Sequence, residues 1–350
     1  AVGRGAYHEA LMAGDLVHQL RQEVAALLGV SPERICLPVS ATFGLNQAIH
    51  GVVTSGTHVI ATAADHNATL RPLHYLQEKG RIQLSVVPCD GRGWVDPDDI
   101  VRAWQANTSL VTLSHASNVT GVTQEVESIV KVAREREALS LLDASQSIGH
   151  VAVSQYESIA DIVVSPGHKW LMGMHGIAVL YARQGIHFDP LIQGGTGSRS
   201  ESLEMPSEMQ DQVEVGTLDF PAAAALLAGC RWLKEEGLES VAAACKSYVQ
   251  ACYDELCDIP GVRVVTPDPT SGVLGPPIIS MVCDGYSPVE VAALFEQIAG
   301  VQVRSGYHCA ACIHEFLGTT KGGTVRISFG PFSGIEDVEA VVSATKKIML

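Results

Sequence analysis

Positive charge is scarce in this sequence. It has 23 Lys and Arg residues against 38 Asp and Glu residues, a formal net charge of −15 at pH 7. A phosphate backbone or an anionic membrane surface repels such a chain unless a local basic patch compensates, and the sequence contains no such patch. We therefore expect neither nucleic acid nor membrane lipid as a partner.

Long apolar runs are missing as well. No uninterrupted apolar stretch approaches the roughly 20 residues that a membrane-spanning helix needs. Residues 1–8 lack the profile of a signal peptide. From these absences we predict a cytoplasmic protein.

Cysteine is present but is not arranged as a disulfide framework. The nine cysteines are spread irregularly over the chain, and the cytosol would keep them reduced. Only Cys309-Ala310-Ala311-Cys312 has the spacing of a redox pair or of half a zinc site. His308 and His314 lie nearby, but no second pair completes a cage. We expect no metal and favour a single reactive thiol.

Length and composition predict two α/β domains. A chain of 350 residues exceeds what one hydrophobic core usually serves, and its 47% hydrophobic residues allow extensive burial. Runs that are apolar on both faces suit a mostly parallel sheet covered by helices. We place a large domain at residues 1–234 and a smaller α/β domain at 235–350. Residues 1–14 are expected to pack on the small domain or on a dimer partner.

Short apolar runs and helical periodicities alternate along the chain. A polar stretch at residues 194–212 is predicted to be an exposed loop over the site. Strands are predicted at residues 35–37, 59–60, 84–87, 110–113, 139–142, 161–164, 177–180, 262–265, 278–282, 301–303 and 325–328. Helices are predicted at residues 15–28, 70–78, 126–137, 222–236, 238–256, 289–299 and 335–348.

Lys169 and Asp143 together indicate a pyridoxal-phosphate site. Lys169 lies in Ser165-Pro166-Gly167-His168-Lys169-Trp170, and Asp143 ends the apolar run Leu141-Leu142. A lysine amine forms an imine with the cofactor aldehyde, and an aspartate can keep the pyridine nitrogen protonated so that the ring accepts electrons. Either residue alone would more simply be a solvated lysine or a strand-ending aspartate. The pair, each in its expected setting, reverses that preference.

Other residues could complete such a site. Ser40-Ala41-Thr42 enters an apolar helix, and the unpaired amides of a helix N-terminus favour a phosphate, although the alternative is an ordinary N-cap. His66 could lie flat on a pyridine ring or be solvated. Asn118 could donate to the phenolic oxygen of the cofactor or to a substrate carboxylate, or serve only a turn. Gln146 could also hydrogen-bond the phenolic oxygen.

These pieces, in this order, resemble the class V aminotransferase family of fold-type I pyridoxal-phosphate enzymes. The resemblance is strongest to group II cysteine desulfurases and selenocysteine lyases, and it spans residues 4–345. It rests on four motifs: Asp143 to Gln146, Gly167-His168-Lys169, Glu214-Val215-Gly216-Thr217, and residues 303–310. A large domain with a seven-stranded, mostly parallel sheet is implied.

The resemblance implies a role for each residue of the cofactor site. Lys169 would form the imine, Asp143 would bind the pyridine nitrogen, Gln146 would bind the phenolic oxygen, and His66 would stack on the ring. A homodimer is implied because active sites of this family form at the dimer interface. The phosphate would be held by Ala41, Thr42 and His168, and by Thr217 from a second subunit.

The same resemblance implies how the substrate is handled. Arg326 matches the arginine that grips the substrate carboxylate, for which a guanidinium fork is suited, rather than a strand arginine with its head in water. Cys309 matches the nucleophile that carries sulfur as a persulfide. Its pKa should be lowered by a neighbouring donor or charge, for which the candidates are Arg304, His308 and His115.

Four departures from the family pattern are visible. Relatives usually begin with an Asp-Asn-Ala-Ala-like segment, and the given sequence starts after it. Phe43 stands where many relatives carry glutamate, and Pro166 where they carry a phosphate-binding hydroxyl, so we expect weaker cofactor affinity. Cys312 is not part of the general motif.

The predicted reaction converts L-cysteine to L-alanine, with the sulfur carried on Cys309 and then passed to an acceptor protein. Three alternatives remain open. A selenocysteine lyase or a cysteine/cystine C–S lyase would share the cofactor residues. A class V aminotransferase would leave Cys309 without a role, and a scaffold without a cofactor would only bind a partner or receive sulfur.

Overall fold

The computed structural model describes residues 5–151 and 156–350. The strands are β1 (Ile35–Cys36), β2 (Thr57–Thr62), β3 (Ile82–Val87), β4 (Thr108–Ser114), β5 (Leu139–Asp143), β6 (Ile162–Pro166), β7 (Ala178–Ala182), β8 (Val262–Val264), β9 (Ile278–Cys283), β10 (Arg304–Gly306) and β11 (Thr324–Ser328). The helices are α1 (His8–Leu28), α2 (Ala41–Val52), α3 (Asn67–Glu78), α4 (Pro97–Ala103), α5 (Val126–Glu135), α6 (Tyr156–Ile159), α7 (Met209–Val213), α8 (Phe220–Glu236), α9 (Leu238–Cys257), α10 (Pro288–Ala299), α11 (Ile313–Phe316) and α12 (Ile335–Met349).

The larger sheet has seven strands in the order β1-β7-β6-β5-β4-β2-β3. Neighbours from β6 to β3 pair in parallel, whereas β7 is antiparallel to β6 and to β1. One apolar core joins this sheet to α2 and α3, and another joins it to α1, α5 and α8. The predicted seven-stranded, mostly parallel sheet is confirmed, and its apolar strands are explained by cover on both faces.

The smaller sheet, in the order β10-β11-β9-β8, is antiparallel throughout. Helices α9, α10 and α12 cover it and share a separate core. Helix α8 ends at Glu236 and α9 begins at Leu238, next to the predicted boundary between residues 234 and 235. The boundary itself stays a prediction.

One predicted strand is wrong in position. Residues 301–303 form no strand, and β10 begins at Arg304. Helix α10 starts with a capping box between Ser287 and Glu290, and Gly300 caps its C-terminus with a φ of 65° that turns the chain away from the helix. Val301, Gln302 and Val303 cross to the sheet before pairing begins. The shift places Arg304 directly opposite Arg326 across β10 and β11.

The structure also describes the polar stretch at residues 194–212 and most of the N-terminal segment. Residues 194–208 are irregular and mainly exposed, but α7 forms at the end of the predicted loop. Of the segment at residues 1–14, residues 1–4 lie outside the described residues, and α1, which starts at His8, packs against α8. No helix in the described part of the chain combines the length and apolarity required to cross a bilayer.

Candidate active site

The loops after β1, β2, β4, β5 and β6 meet at the carboxyl edge of the larger sheet and enclose a cavity of about 230 Å³. Parallel strands place their carboxyl ends at one edge, which explains why residues far apart in sequence meet there. The cavity is lined by Ser40, Ala41, Thr42, Leu45, His66, Ala68, Ser114, Ala116, Asn118, Asp143, Ser145, Gln146, Pro166, His168, Lys169 and Arg304.

Lys169 reaches the cavity from the turn that follows β6. Burial lowers the pKa of its amine, and the positive charges of Arg326 and Arg304 act in the same direction, whereas Asp143 opposes them. A lowered pKa favours the neutral amine, the form that reacts with an aldehyde and accepts a proton.

Asp143 ends β5 and is buried, with 5% of its surface exposed. The backbone N–H of Ser145 donates to its Oδ1 at 3.0 Å. This bond fixes the carboxylate at the cavity wall, where Oδ2 can accept from a protonated ring nitrogen.

His66 lies at the N-cap of α3, and its Nδ1 accepts a hydrogen bond from the backbone N–H of Ala68 at 3.0 Å. Since Nδ1 is the acceptor, the neutral ring carries its proton on Nε2. Burial lowers the pKa of His66, with Asp143 opposing the shift. A flat, uncharged ring therefore forms one wall of the cavity.

The N-terminus of α2, a helix of 12 residues, forms another part of the cavity lining. Ser40 caps this helix by accepting from the N–H of Phe43 at 3.1 Å. The helix dipole and the amides of its first turn favour an anion beside Ala41 and Thr42. His168 also lines the cavity, and its ring packs against the ring of His175, with centroids 4.2 Å apart.

Thr217 does not line this cavity. It is exposed and borders a separate cavity of about 430 Å³ that also contacts Phe43 and residues 196–198. The polar stretch at residues 194–212 therefore borders this second cavity and does not line the one that contains Lys169. A contribution of Thr217 from a second subunit stays a prediction.

Gln146 is buried at 7% exposure and lines the cavity beside Asp143. Its Oε1 accepts a hydrogen bond from the indole N–H of Trp170 at 2.9 Å. Trp170, the residue that follows Lys169, therefore holds the side-chain amide of Gln146 in place.

Cys309 lies on a loop with unusual backbone geometry, since φ is 50° at His308 and 61° at Cys309. The carbonyl of His308 accepts from Asn118 Nδ2 at 2.6 Å, and the carbonyl of Cys309 accepts from the N–H of Asn67 at 2.7 Å. Left-handed backbone at two successive non-glycine residues is costly and persists only when surrounding bonds hold it. The thiol borders a cavity of about 490 Å³ that shares Thr42, His66 and Ala68 with the first.

The structure separates the three candidates for the charge next to Cys309. Arg304 Nη2 donates to the Cys309 sulfur at 3.3 Å. Burial lowers the pKa of His308 to about 3, and its Nε2 faces Thr324 Oγ1 at 2.9 Å, so its ring is neutral. Burial lowers the pKa of His115 to about 4, and this histidine does not line the cavity. Of the three candidates, Arg304 is therefore the charged side chain that contacts the sulfur.

Arg326 lies on β11 behind the cavity. Its Nη1 donates to the carbonyl of Asn118 at 2.8 Å, and its buried Nε has no hydrogen-bond partner among the described residues. Burial, aided by the charge of Arg304, lowers its pKa to about 10, which leaves it positive at neutral pH. An unpartnered buried N–H of a charged group is costly, so this side chain is poised for an anion.

Asn118 lines the cavity as predicted by position, but its amide nitrogen already donates to the Cys309 loop. Cys312 is partly buried, and burial raises the pKa of its thiol. Among residues 5–151 and 156–350, no group of three His, Cys, Asp or Glu side chains could hold a metal ion.

Sequence reasoning missed two hydroxyl residues of the cavity, Ser114 and Ser145. Each follows or ends a strand at the carboxyl edge, a signal that could have found them. The sequence indicated Arg304 only as a possible charge near Cys309. Its place in the cavity wall depends on β10, which was predicted at residues 301–303 and is observed at Arg304–Gly306.

The cavity fits pyridoxal phosphate. It offers an amine for the aldehyde, a fixed carboxylate for the pyridinium and a helix N-terminus for the phosphate. Around Lys169, the charges of Arg304 and Arg326 are opposed by one carboxylate, that of Asp143, so the site is positive in a chain whose net charge is −15. A sheet of this order with such a cavity defines an α/β protein of pyridoxal-phosphate fold type I.

Comparisons with known proteins agree with the cavity. The family model described as "Aminotransferase class-V" matches residues 1–341, and the chain belongs to this family, whose members use pyridoxal phosphate. A relative from Methanothermobacter thermautotrophicus, named "Probable cysteine desulfurase", is 30% identical over 99% of this chain and 87% of its own length. A relative of the same name from Aeropyrum pernix is 31% identical, with coverage of 99% and 87%. The apo structure of the cysteine desulfurase from Thermococcus onnurineus superimposes with a TM-score of 0.90 at 28% identity, covering 99% of this chain and 87% of that one.

Proposed function

We propose that the protein is a pyridoxal-phosphate-dependent cysteine desulfurase. It would convert L-cysteine to L-alanine and keep the sulfur as a persulfide on Cys309. In balanced form, the Cβ–S bond of the substrate breaks, the sulfur bonds to Cys309 Sγ, and protons from the two thiols are redistributed to Cβ and to the persulfide.

The observation that carries the proposal is the placement of the Cys309 thiol. Its loop is bonded to Asn118 and Asn67, which follow β4 and β2, and its sulfur accepts from Arg304, a residue of the cavity wall. A cysteine with no chemical role does not require a left-handed backbone and a guanidinium at its sulfur.

The residues of the cavity divide the remaining work. Lys169, with its lowered pKa, holds and moves the Cα proton, and the guanidinium of Arg326 would bind the substrate carboxylate. Asp143 would keep the ring nitrogen of the cofactor protonated, His66 would lie against the ring, and the N-terminus of α2 would hold the phosphate. When bound, the cofactor supplies an electron sink for the substrate Cα.

A direct test adds L-cysteine to the protein loaded with cofactor and quantifies alanine, with mass spectrometry of the Cys309 peptide. We expect alanine and a persulfide in the parent protein and the loss of both in Cys309→Ser. Cys257→Ser is the matched control, because Cys257 is an exposed thiol far from the cavity lining. Alanine formation by Cys309→Ser at the parent rate would show that Cys309 does not take the sulfur.

The product separates the desulfurase from its alternatives. A C–S lyase at the same site yields pyruvate and ammonia in place of alanine, and an aminotransferase needs no thiol at position 309. The homodimer, the cytoplasmic location and an acceptor protein for the sulfur are further parts of the proposal. The apo relative from Thermococcus onnurineus and the relatives named above support the reaction but not these details.

A further inference from the structure

Trp170 makes a contact that the reaction described above does not use. Its indole N–H donates to Gln146 Oε1 at 2.9 Å. An indole nitrogen can only donate, so the atom that faces it must be the carbonyl oxygen of the amide. The contact therefore determines which way round the Gln146 amide lies, and its NH₂ group is the end left to donate into the cavity.

The indole is itself held in place from its other side. The ring of His150 packs edge-on against it, with centroids 4.0 Å apart and an interplanar angle of 86°. Burial lowers the pKa of His150 to about 4, so this neighbour is uncharged at neutral pH. At Gly149, with φ of 94°, a Cβ would come within 2.6 Å of the Trp170 carbonyl oxygen, so the two segments approach too closely for any other residue.

We infer that Trp170 is a positioning residue that fixes the Gln146 amide with its NH₂ toward the phenolic oxygen of the cofactor. The inference rests on the pyridoxal phosphate of the proposed function. It adds a residue outside the cavity lining to the groups that control the cofactor.

The energetic consequence follows from the charge of the phenolic oxygen. A donor stabilises the anionic form of this oxygen, whereas a flipped amide would present its carbonyl and destabilise it. Without the indole N–H, both orientations become accessible. Cofactor affinity should then fall by up to about tenfold, because an amide that the indole no longer orients keeps only part of its hydrogen bond to a charged group. The pH midpoint at which the visible absorbance of the bound cofactor changes should rise.

The test is a double-mutant cycle on the cofactor-loaded protein with Trp170→Phe, Gln146→Met and the double variant. The pyridoxal-phosphate dissociation constant and the pH midpoint of the visible absorbance are measured for each. We expect Trp170→Phe to weaken binding and raise the midpoint in the parent, and to change neither in the Gln146→Met background. Trp104→Phe is the control, a partly buried tryptophan that packs on Arg136 and should leave both values unchanged.

A structural role would give a different result. If Trp170→Phe only disturbs packing, its effect will persist at full size in the Gln146→Met background, and the inference is wrong. Parent values in Trp170→Phe would overturn it equally. Should Trp170→Phe fail to fold, replacement of the indole by isosteric benzothiophene removes the N–H while keeping the contact with His150, and the same shifts are expected.

The outcomes also separate this inference from the proposed function. Cofactor uptake without alanine formation in the parent protein would remove the desulfurase assignment and leave the inference standing. A parent protein that takes up no pyridoxal phosphate would overturn both.

Discussion

Three buried histidines, His115, His150 and His308, hold neutral rings in the folded protein. Burial lowers their pKa values from 6.5 to about 4, about 4 and about 3. The unfolded chain therefore binds protons at these positions between pH 6.5 and pH 4 that the folded protein does not bind. Stability is fully present above the unfolded pKa and falls as the pH drops below it.

We predict that the free energy of unfolding in urea falls between pH 7.5 and pH 5, and that His115→Gln reduces this slope. Each such histidine contributes at most about 1.36 kcal/mol per pH unit in this window. His74→Gln is the control, because His74 is an exposed side chain beside Glu78 and should leave the slope unchanged. An equal slope in His115→Gln and the parent protein would contradict the prediction.

At the residue scale, the sequence predicted the cavity well where a residue type follows a strand. Lys169, Asp143, His66 and Gln146 each end or follow an apolar run, so they meet at the carboxyl edge. The sequence could not rank Arg304, His308 and His115 as the charged neighbour of Cys309. That neighbour depends on two residues with left-handed backbone and on the register of β10. The chemical roles predicted for the four cavity residues Lys169, Asp143, His66 and Gln146 stay predictions.

At the scale of elements, Glu214 connects α1, β1 and the segment after α7. Its carboxylate accepts from Arg21 Nη1 and Nη2, both at 2.7 Å, and from the N–H of Leu37 at 2.7 Å. Arg21 Nη1 also donates to the carbonyl of Ile35 at 2.6 Å. The sequence identified Glu214 only through a family motif, and the structure adds this anchoring contact.

We predict that Glu214→Gln lowers the free energy of unfolding by about 1–3 kcal/mol, because the guanidinium of Arg21 and the Leu37 N–H lose a charged acceptor in a partly buried place. The control is Glu208→Gln. Its ion pair with Arg199 is more than half exposed on both sides, at 57% and 55%, and should cost less than about 1 kcal/mol. Equal losses in the two variants, measured by urea unfolding, would show that burial of the Arg21 pair does not matter.

Elements were predicted best where periodicity and termination agree. Helix α9 was expected at residues 238–256 and is observed at Leu238–Cys257. The strand expected at residues 301–303 is wrong, because β-branched residues between a helix and a sheet need not pair. Helix α7 was missed because its five residues lie in a polar stretch with no periodic signal.

At the scale of the whole molecule, the exposed Thr217 offers a test of assembly. If Thr217 completes the phosphate site of a second subunit, a mixed dimer of Lys169→Ala and Thr217→Ala chains contains one site with both native residues. We predict that mixing the two inactive or weakened variants restores desulfurase activity and tight pyridoxal-phosphate binding. Each variant mixed with itself is the control, and an absence of restoration would place Thr217 in its own chain's site or in none.

The sulfur of Cys309 belongs to the part of the chain that follows α9, yet its loop is hydrogen-bonded to Asn67, at the start of α3, and to Asn118, in the loop after β4. A rotation between the two sheets would lengthen these two hydrogen bonds and move the Cys309 sulfur. Ser280, on β9, donates to the carbonyl of Val119 across the same seam. The position of the Cys309 sulfur therefore depends on how the two sheets are oriented relative to each other. A substitution far from the cofactor site can thus change the distance over which sulfur is transferred.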